Sequence, residues 1–186
     1  MFETTPIPDL LIVRPKRFGD DRGFFSEVWN RKAFEAEGLT FDWCQDNHSR
    51  SGATGTLRGL HYQAPPFAQA KLVRCAKGCV WDVGVDVRPG SPTYGKWFGL
   101  ELSEDNWTQL LVPRGFLHGF VTLVPDSEVL YKVDAPYSKE CDGAVAWDDP
   151  EIAVEWPVEG APVLSDKDRA APHLKDWQNP FAEMAQ

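Results

Sequence analysis

Apolar and polar residues alternate along much of the chain in short runs set off by turn-forming residues. The clearest run is Cys79–Val87. Cys79, Trp81, Val83, Val85 and Val87 fall on one face, and Val80, Asp82, Gly84 and Asp86 on the other. That period of two predicts a strand, closed by the breaker Pro89-Gly90-Ser91-Pro92. Similar runs predict strands at Leu10–Arg14, Gly23–Trp29, Phe41–His48, Thr56–Gln63, Lys71–Cys75, Trp97–Ser103, Gln109–Val112, His118–Val124 and Glu128–Val133. Two stretches read differently. Asn30–Glu37 holds helix formers and stops at Gly38, so a short helix is expected after the second strand. Ser165–Ala171 predicts a short C-terminal helical segment capped by Ser165. Many short strands without alternating helices imply an all-β sandwich or jelly roll and argue against a βαβ fold. No repeat, low-complexity stretch or linker divides the sequence. Residues 1–186 are therefore expected to form one domain, with a core at about 5–170 and a tail at 171–186.

Composition narrows the functional classes. A chain of 186 residues buries about 70% of its unfolded surface and needs no disulfide staple. The net charge of −9 argues against a nucleic-acid-coating protein, so an anionic ligand would need a local basic pocket. Cys44, Cys75, Cys79 and Cys141 form no C-x-x-C pair and read as small hydrophobes in a reducing compartment. The first residues lack the basic and apolar regions of a signal peptide, and no apolar run is long enough to cross a bilayer. A cytoplasmic location, with no membrane or nucleic-acid partner, is the expectation.

Several positions could carry chemistry. His61 lies in Leu57-Arg58-Gly59-Leu60-His61-Tyr62-Gln63 and His118 in Pro113-Arg114-Gly115-Phe116-Leu117-His118-Gly119-Phe120. A histidine among apolar strand residues is more often a hydrogen-bonded core residue than a catalyst. Arg58 and His61, three apart, would point to opposite faces of a regular strand, but a bulge at Gly59 would turn both inward. Lys71 at a strand start reads first as a solvated lysine. Tyr131, sharing a face with Val129 and Val133, reads as core packing or as a proton donor. Asp20-Asp21-Arg22-Gly23 is a turn. Phe24-Phe25 could stack on a flat ring or simply fill the core.

Taken together and in order, eight segments resemble the dTDP-4-dehydrorhamnose 3,5-epimerase family. They are Phe18–Phe25, Gln45–Ser49, Leu57–Gln63, Lys71–Arg74, Pro113–Phe120, Leu130–Lys132, Trp147–Pro150 and Leu164–Asp168, and the likeness spans roughly residues 5–170. The resemblance implies a double-stranded β-helix (jelly roll, cupin-like) working as a homodimer. It implies an epimerase that inverts C3 and C5 of dTDP-4-keto-6-deoxy-D-glucose, giving dTDP-4-keto-L-rhamnose without metal or redox cofactor. Metal-binding cupins carry His-x-His and a following Glu, whereas His61 is followed here by Tyr62 and Gln63. Carried over, His61 is the implied base, Tyr131 the acid and Asp168 the partner of His61, with Lys71 and Arg58 near the keto oxygen. Arg22, Glu27, Gln45, Asn47, His118 and Lys167 are implied contacts of the nucleotide sugar. Asp142 stands where the family more often has the longer Glu. Two other readings stay open: an enzyme inverting C3 alone on a related 4-keto-deoxysugar, and a non-catalytic sugar-nucleotide-binding module.

Overall fold

Inter-strand hydrogen bonding gathers the short strands into two facing sheets and one free hairpin. The structure is a computed structural model and describes residues 1–182. In chain order its strands are β1 (Phe2–Thr4), β2 (Leu11–Val13), β3 (Arg17–Asp20), β4 (Gly23–Ser26), β5 (Gln45–Ser51), β6 (Leu57–Gln63) and β7 (Lys71–Lys77). They continue as β8 (Cys79–Asp86), β9 (Trp97–Ser103), β10 (Gln109–Val112), β11 (Phe116–Thr122), β12 (Ser127–Val133) and β13 (Asp142–Ala144). Two short helices are α1 (Arg31–Glu35) and α2 (Asp166–Arg169). One sheet runs β1-β2-β10-β7-β12-β5, the other β13-β6-β11-β8-β9, and β3 pairs only with β4. All of these strand pairings are antiparallel. This is the all-β, cupin-type architecture expected.

Strand alternation sorts side chains into three apolar layers. Val73, Cys75, Val80, Leu110, Phe120 and Val129 fill the space between the sheets. The outer face of the five-stranded sheet offers Leu60, Val83, Val85 and Leu117, which Val145, Ile152 and Phe181 cover from the C-terminal segment. The outer face of the six-stranded sheet offers Val13, Leu72 and Leu111, packed under Phe34 of α1. Each fully buried apolar side chain of this size contributes about 1.5–3 kcal/mol. Both faces of β8 are covered, so its two alternating sets lie in two different layers.

Several boundaries depart from expectation. The run Phe41–His48 is strand only from Gln45, and the strand continues to Ser51. Phe41 and Trp43 stack on each other at 4.8 Å and join the layer around Phe34 instead, an alternation that serves packing without a pairing partner. The second predicted strand ends at Ser26, and the predicted His118–Val124 strand lies at Phe116–Thr122. The strands β1, β3 and β13, three or four residues each, are too short to show periodicity. The predicted Ser165 cap is present, accepting from Asp168 N–H at 3.1 Å, and Asn30 caps α1 by accepting from Ala33 N–H at 3.2 Å. Among the described residues all four cysteines are free, and only Cys75 is buried. The expected tail at 171–186 extends beyond the described residues. No helix among them is long and apolar enough to cross a membrane.

Candidate active site

A cavity of about 320 Å³ opens between the sheets, lined by Gln45 and Asn47 of β5, His61, Tyr62 and Gln63 of β6, Gln69, Lys71 of β7, Tyr131 of β12, Tyr137 and Asp142 of β13. His61 and Tyr131 reach it from opposite sheets. Local irregularity makes this possible. Between the pairings His118↔His61 and Phe120↔Arg58, β11 advances two residues and β6 three, so β6 carries one extra residue. Gly59 sits in that bulge at φ +146°, and a Cβ there would lie 2.6 Å from the Gly119 Cα. Only glycine accommodates both the angle and the approach. The bulge turns Arg58 to the same side as His61, as the sequence predicts. There Arg58 Nε donates to Ser51 Oγ at 3.2 Å and its charge acts on Tyr131.

The imidazole is held from behind. A parallel bridge, Thr56↔Val163, returns the chain to the start of β6 and places α2 beside it. His61 Nε2 lies 2.5 Å from Asp168 Oδ1, and Ser165 Oγ donates to the other oxygen at 2.7 Å. Burial pushes the Asp168 carboxyl up, but the bonds from His61 and Ser165 outweigh it and hold the group below the usual carboxylate range. A fixed anion on Nε2 sets the ring orientation. The ring's other nitrogen, Nδ1, is not used by Asp168.

Lys71 is half-buried rather than solvated. Burial brings its ammonium down to about 8, against the pull of Asp82 and Asp142 and with the push of Lys167. Burial also raises Tyr131 above the ordinary phenol range, with Arg58 opposing and Asp142 reinforcing, so the phenol keeps its proton. Gln45 Nε2 donates to Asn47 Oδ1 at 2.8 Å, while Gln45 Oε1 accepts from Tyr137 N–H at 3.0 Å. Asp142 accepts from Lys167 Nζ at 2.5 Å.

Three implied contacts stand apart from this cavity. Arg22 pairs with Asp20 at the tip of the β3–β4 hairpin, and Glu27 is exposed just after it. His118, the cross-strand partner of His61, is buried and does not line the cavity, its Nε2 2.6 and 3.1 Å from the two oxygens of Asp82. Phe24 and Phe25 are neither core nor cavity residues. Phe24 meets Trp107 edge-on at 4.8 Å and Phe25 is 68% exposed. Sequence reasoning passed over Tyr62, Gln63, Gln69 and Tyr137. Gln63 was legible as part of the His61 segment, and it ties the wall together by donating to Phe67 and Pro136 carbonyls and accepting from Ser138 N–H. Tyr137 lies in an irregular loop with no pattern to single it out. Among the described residues no three His, Cys, Asp or Glu side chains cluster as a metal site.

An imidazole and a phenol on opposite walls, with the Lys71 ammonium in the same cavity, form an arrangement suited to proton transfer. A family model described as dTDP-4-dehydrorhamnose 3,5-epimerase matches residues 4–176. A dTDP-4-dehydrorhamnose 3,5-epimerase of Sinorhizobium fredii is 52% identical, over 93% of this chain and 89% of its own. A dTDP-6-deoxy-D-glucose-3,5-epimerase of Legionella pneumophila, solved with dTDP-4-keto-L-rhamnose, superposes with a TM-score of 0.93 at 42% identity, covering 97% of this chain and 96% of that one. A 3'-monoepimerase of Streptomyces bikiniensis, solved with dTDP-quinovose, superposes at 0.86 with 32% identity, covering 97% and 89%.

Proposed function

The chain belongs to the dTDP-4-dehydrorhamnose 3,5-epimerase family, and from that premise we propose how its residues divide the work. The protein is an isomerase that inverts C3 and C5 of dTDP-4-keto-6-deoxy-D-glucose, giving dTDP-4-keto-L-rhamnose. Both carbons flank the C4 ketone, so loss of either proton leaves an enolate with its charge on the C4 oxygen. Inversion then requires removal from one face of the ring and delivery to the other.

His61 is the base. Asp168 orients it and stabilises the imidazolium it becomes. Tyr131, protonated and on the opposing sheet, delivers the new proton. Lys71 and Arg58 place positive charge where the enolate oxygen develops, an effect worth roughly 3–4 kcal/mol per well-placed donor. Gln45, Asn47, Asp142 and Lys167 contact the rest of the nucleotide sugar. The observation that carries this reading is the arrival of His61 and Tyr131 in one cavity from opposite sheets. In heavy water, proton NMR of the product counts exchanged positions. Deuterium at both C3 and C5 is expected with the native enzyme and none with His61→Asn. Exchange at C3 alone would assign the monoepimerase reaction instead, and undiminished exchange in the variant would remove His61 from the role of base.

The proposal includes a homodimer. Phe18, Phe24 and Phe25 are exposed together on the β3–β4 hairpin, an apolar patch that invites cover. Arg22 and Glu27 on and beside that hairpin do not line the cavity of their own chain. One protomer's hairpin would instead bring them to its partner's nucleotide, where a planar guanidinium suits a diphosphate.

A further inference from the structure

Residues 134–138, between β12 and β13, form an irregular loop that brings Tyr137 to the cavity wall. Such a loop has no strand ladder to satisfy its backbone, and here side-chain amides do so. Gln69 Nε2 donates to the Ala135 carbonyl at 2.8 Å. Gln63 Nε2 donates to the Pro136 carbonyl at 2.9 Å, and Gln63 Oε1 accepts from Ser138 N–H at 2.8 Å. Gln45 Oε1 accepts from Tyr137 N–H at 3.0 Å. The three glutamines come from β6, the β6–β7 connection and β5, and all of them line the cavity. At the root of the loop, Asp134 accepts from Ala70 N–H at 2.7 Å and from Arg114 Nε at 3.1 Å. We infer that Gln63 and Gln69 are positioning residues: they hold the loop 134–138 so that Tyr137 presents a fixed surface to the bound nucleotide sugar.

The inference rests on the proposed use of this cavity by a nucleotide sugar. The residue type fits the task. A carboxamide carries donors and an acceptor on one side chain, so Gln63 can take a carbonyl and an N–H of the same loop at once. It also donates to the Phe67 carbonyl at 2.5 Å, which ties the β6–β7 connection to the loop. Gln63 is buried, so a side chain of similar length without an amide would strand two carbonyls and an N–H. Tyr137, by contrast, is exposed, and its hydroxyl points to Asp142 Oδ2 at 3.4 Å. An exposed side chain on a loop bonded at Ala135, Pro136, Tyr137 and Ser138 takes its place from the backbone beneath it. A wall fixed in advance spares the ligand the cost of ordering it.

A double-mutant cycle on KM tests this, with dTDP-4-keto-6-deoxy-D-glucose as substrate and deuterium exchange as the readout. Gln63→Met should raise KM by about tenfold and lower kcat much less, since the ligand must then order the loop. Tyr137→Ala should raise KM by itself. Adding Gln63→Met to Tyr137→Ala should raise it little further, because the glutamine acts through Tyr137. A side chain that only stabilised the fold would show no such coupling. In protein carrying 3-fluorotyrosine, the fluorine signal missing from Tyr137→Phe should shift or broaden in Gln63→Met. If Gln63→Met does not fold, Gln69→Met, which gives up only the bond to Ala135, replaces it with a KM rise of about threefold. KM effects that add in the double variant would overturn the inference. So would a native KM in Tyr137→Ala or in the folded glutamine variant, or an unmoved Tyr137 signal. A native protein that exchanges no deuterium would instead remove the proposed function, and the inference with it.

Discussion

At the scale of single residues, the chemistry depends on how neighbours bias one proton. Asp168 costs the fold a buried carboxylate and returns an oriented imidazole, so Asp168→Asn should lower kcat by about 10²-fold or more, with KM little changed. Steady-state kinetics check this, and a change confined to KM would mean that Asp168 serves binding. The pH dependence of stability follows from the same bonds. Asp168 has a depressed folded value, so its contribution is present above the unfolded value of roughly 4 and disappears as the pH falls through the lower folded one. His118, pushed down by burial, adds a loss that sets in below roughly pH 6.5, where the unfolded chain takes up a proton that the folded one resists. Denaturant midpoints measured from pH 8 to 5 should decline, and His118→Gln should flatten that decline.

At the scale of elements, the site exists because two strands and a helix break their local rules at chosen points. The bulge in β6 was legible, since Arg58 and His61 at a spacing of three around Gly59 make sense on one face only with an extra residue. Gly59→Ala should cost about 1–3 kcal/mol, because the added Cβ would lie 2.6 Å from Gly119 backbone. Thermal unfolding read by circular dichroism would show it, and an unchanged midpoint would contradict the close approach. The Ser165 cap was legible too, but the bond between His61 and Asp168 depends on a tertiary return across 107 residues that no local pattern encodes. Ser165→Ala should cost about 1 kcal/mol and also slow proton abstraction. The Asp82–His118 pair shows the same limit. Parity placed Asp82 on the face of β8 opposite its apolar one, but that face is covered as well and the partner of Asp82 comes from another strand. The strands β1, β3 and β13 were missed, and Phe41–Trp43 misread, because pairing partners, not periodicity, decide them.

At the scale of the whole molecule, an acidic protein accommodates an anionic nucleotide by concentrating cations in one cleft. The net charge of −9 coexists with Lys71 in the cavity wall and Lys167 bonded to Asp142 of that wall. The homodimer supplies the remaining guanidinium in the proposed arrangement. Mixed protomers test it: His61→Asn and Arg22→Ala variants, each poorly active alone, should regain activity when refolded together, since one of the two mixed sites is then intact. Failure to recover activity in a proven heterodimer would mean that Arg22 serves its own chain or none. Prolonged chelation should leave turnover unchanged, and loss that added zinc or iron restores would contradict the proposed cofactor-free mechanism.

The two-faced proton transfer itself is tested most directly with Tyr131→Phe in heavy water, reading the substrate recovered after short incubation by NMR. Without its opposite-face donor the enzyme should return deuterium from the His61 side, so recovered sugar carries deuterium at C3 or C5 with unchanged configuration while inverted product is scarce. Full inversion at the native rate, or recovered sugar free of deuterium, would contradict the pairing of these two side chains.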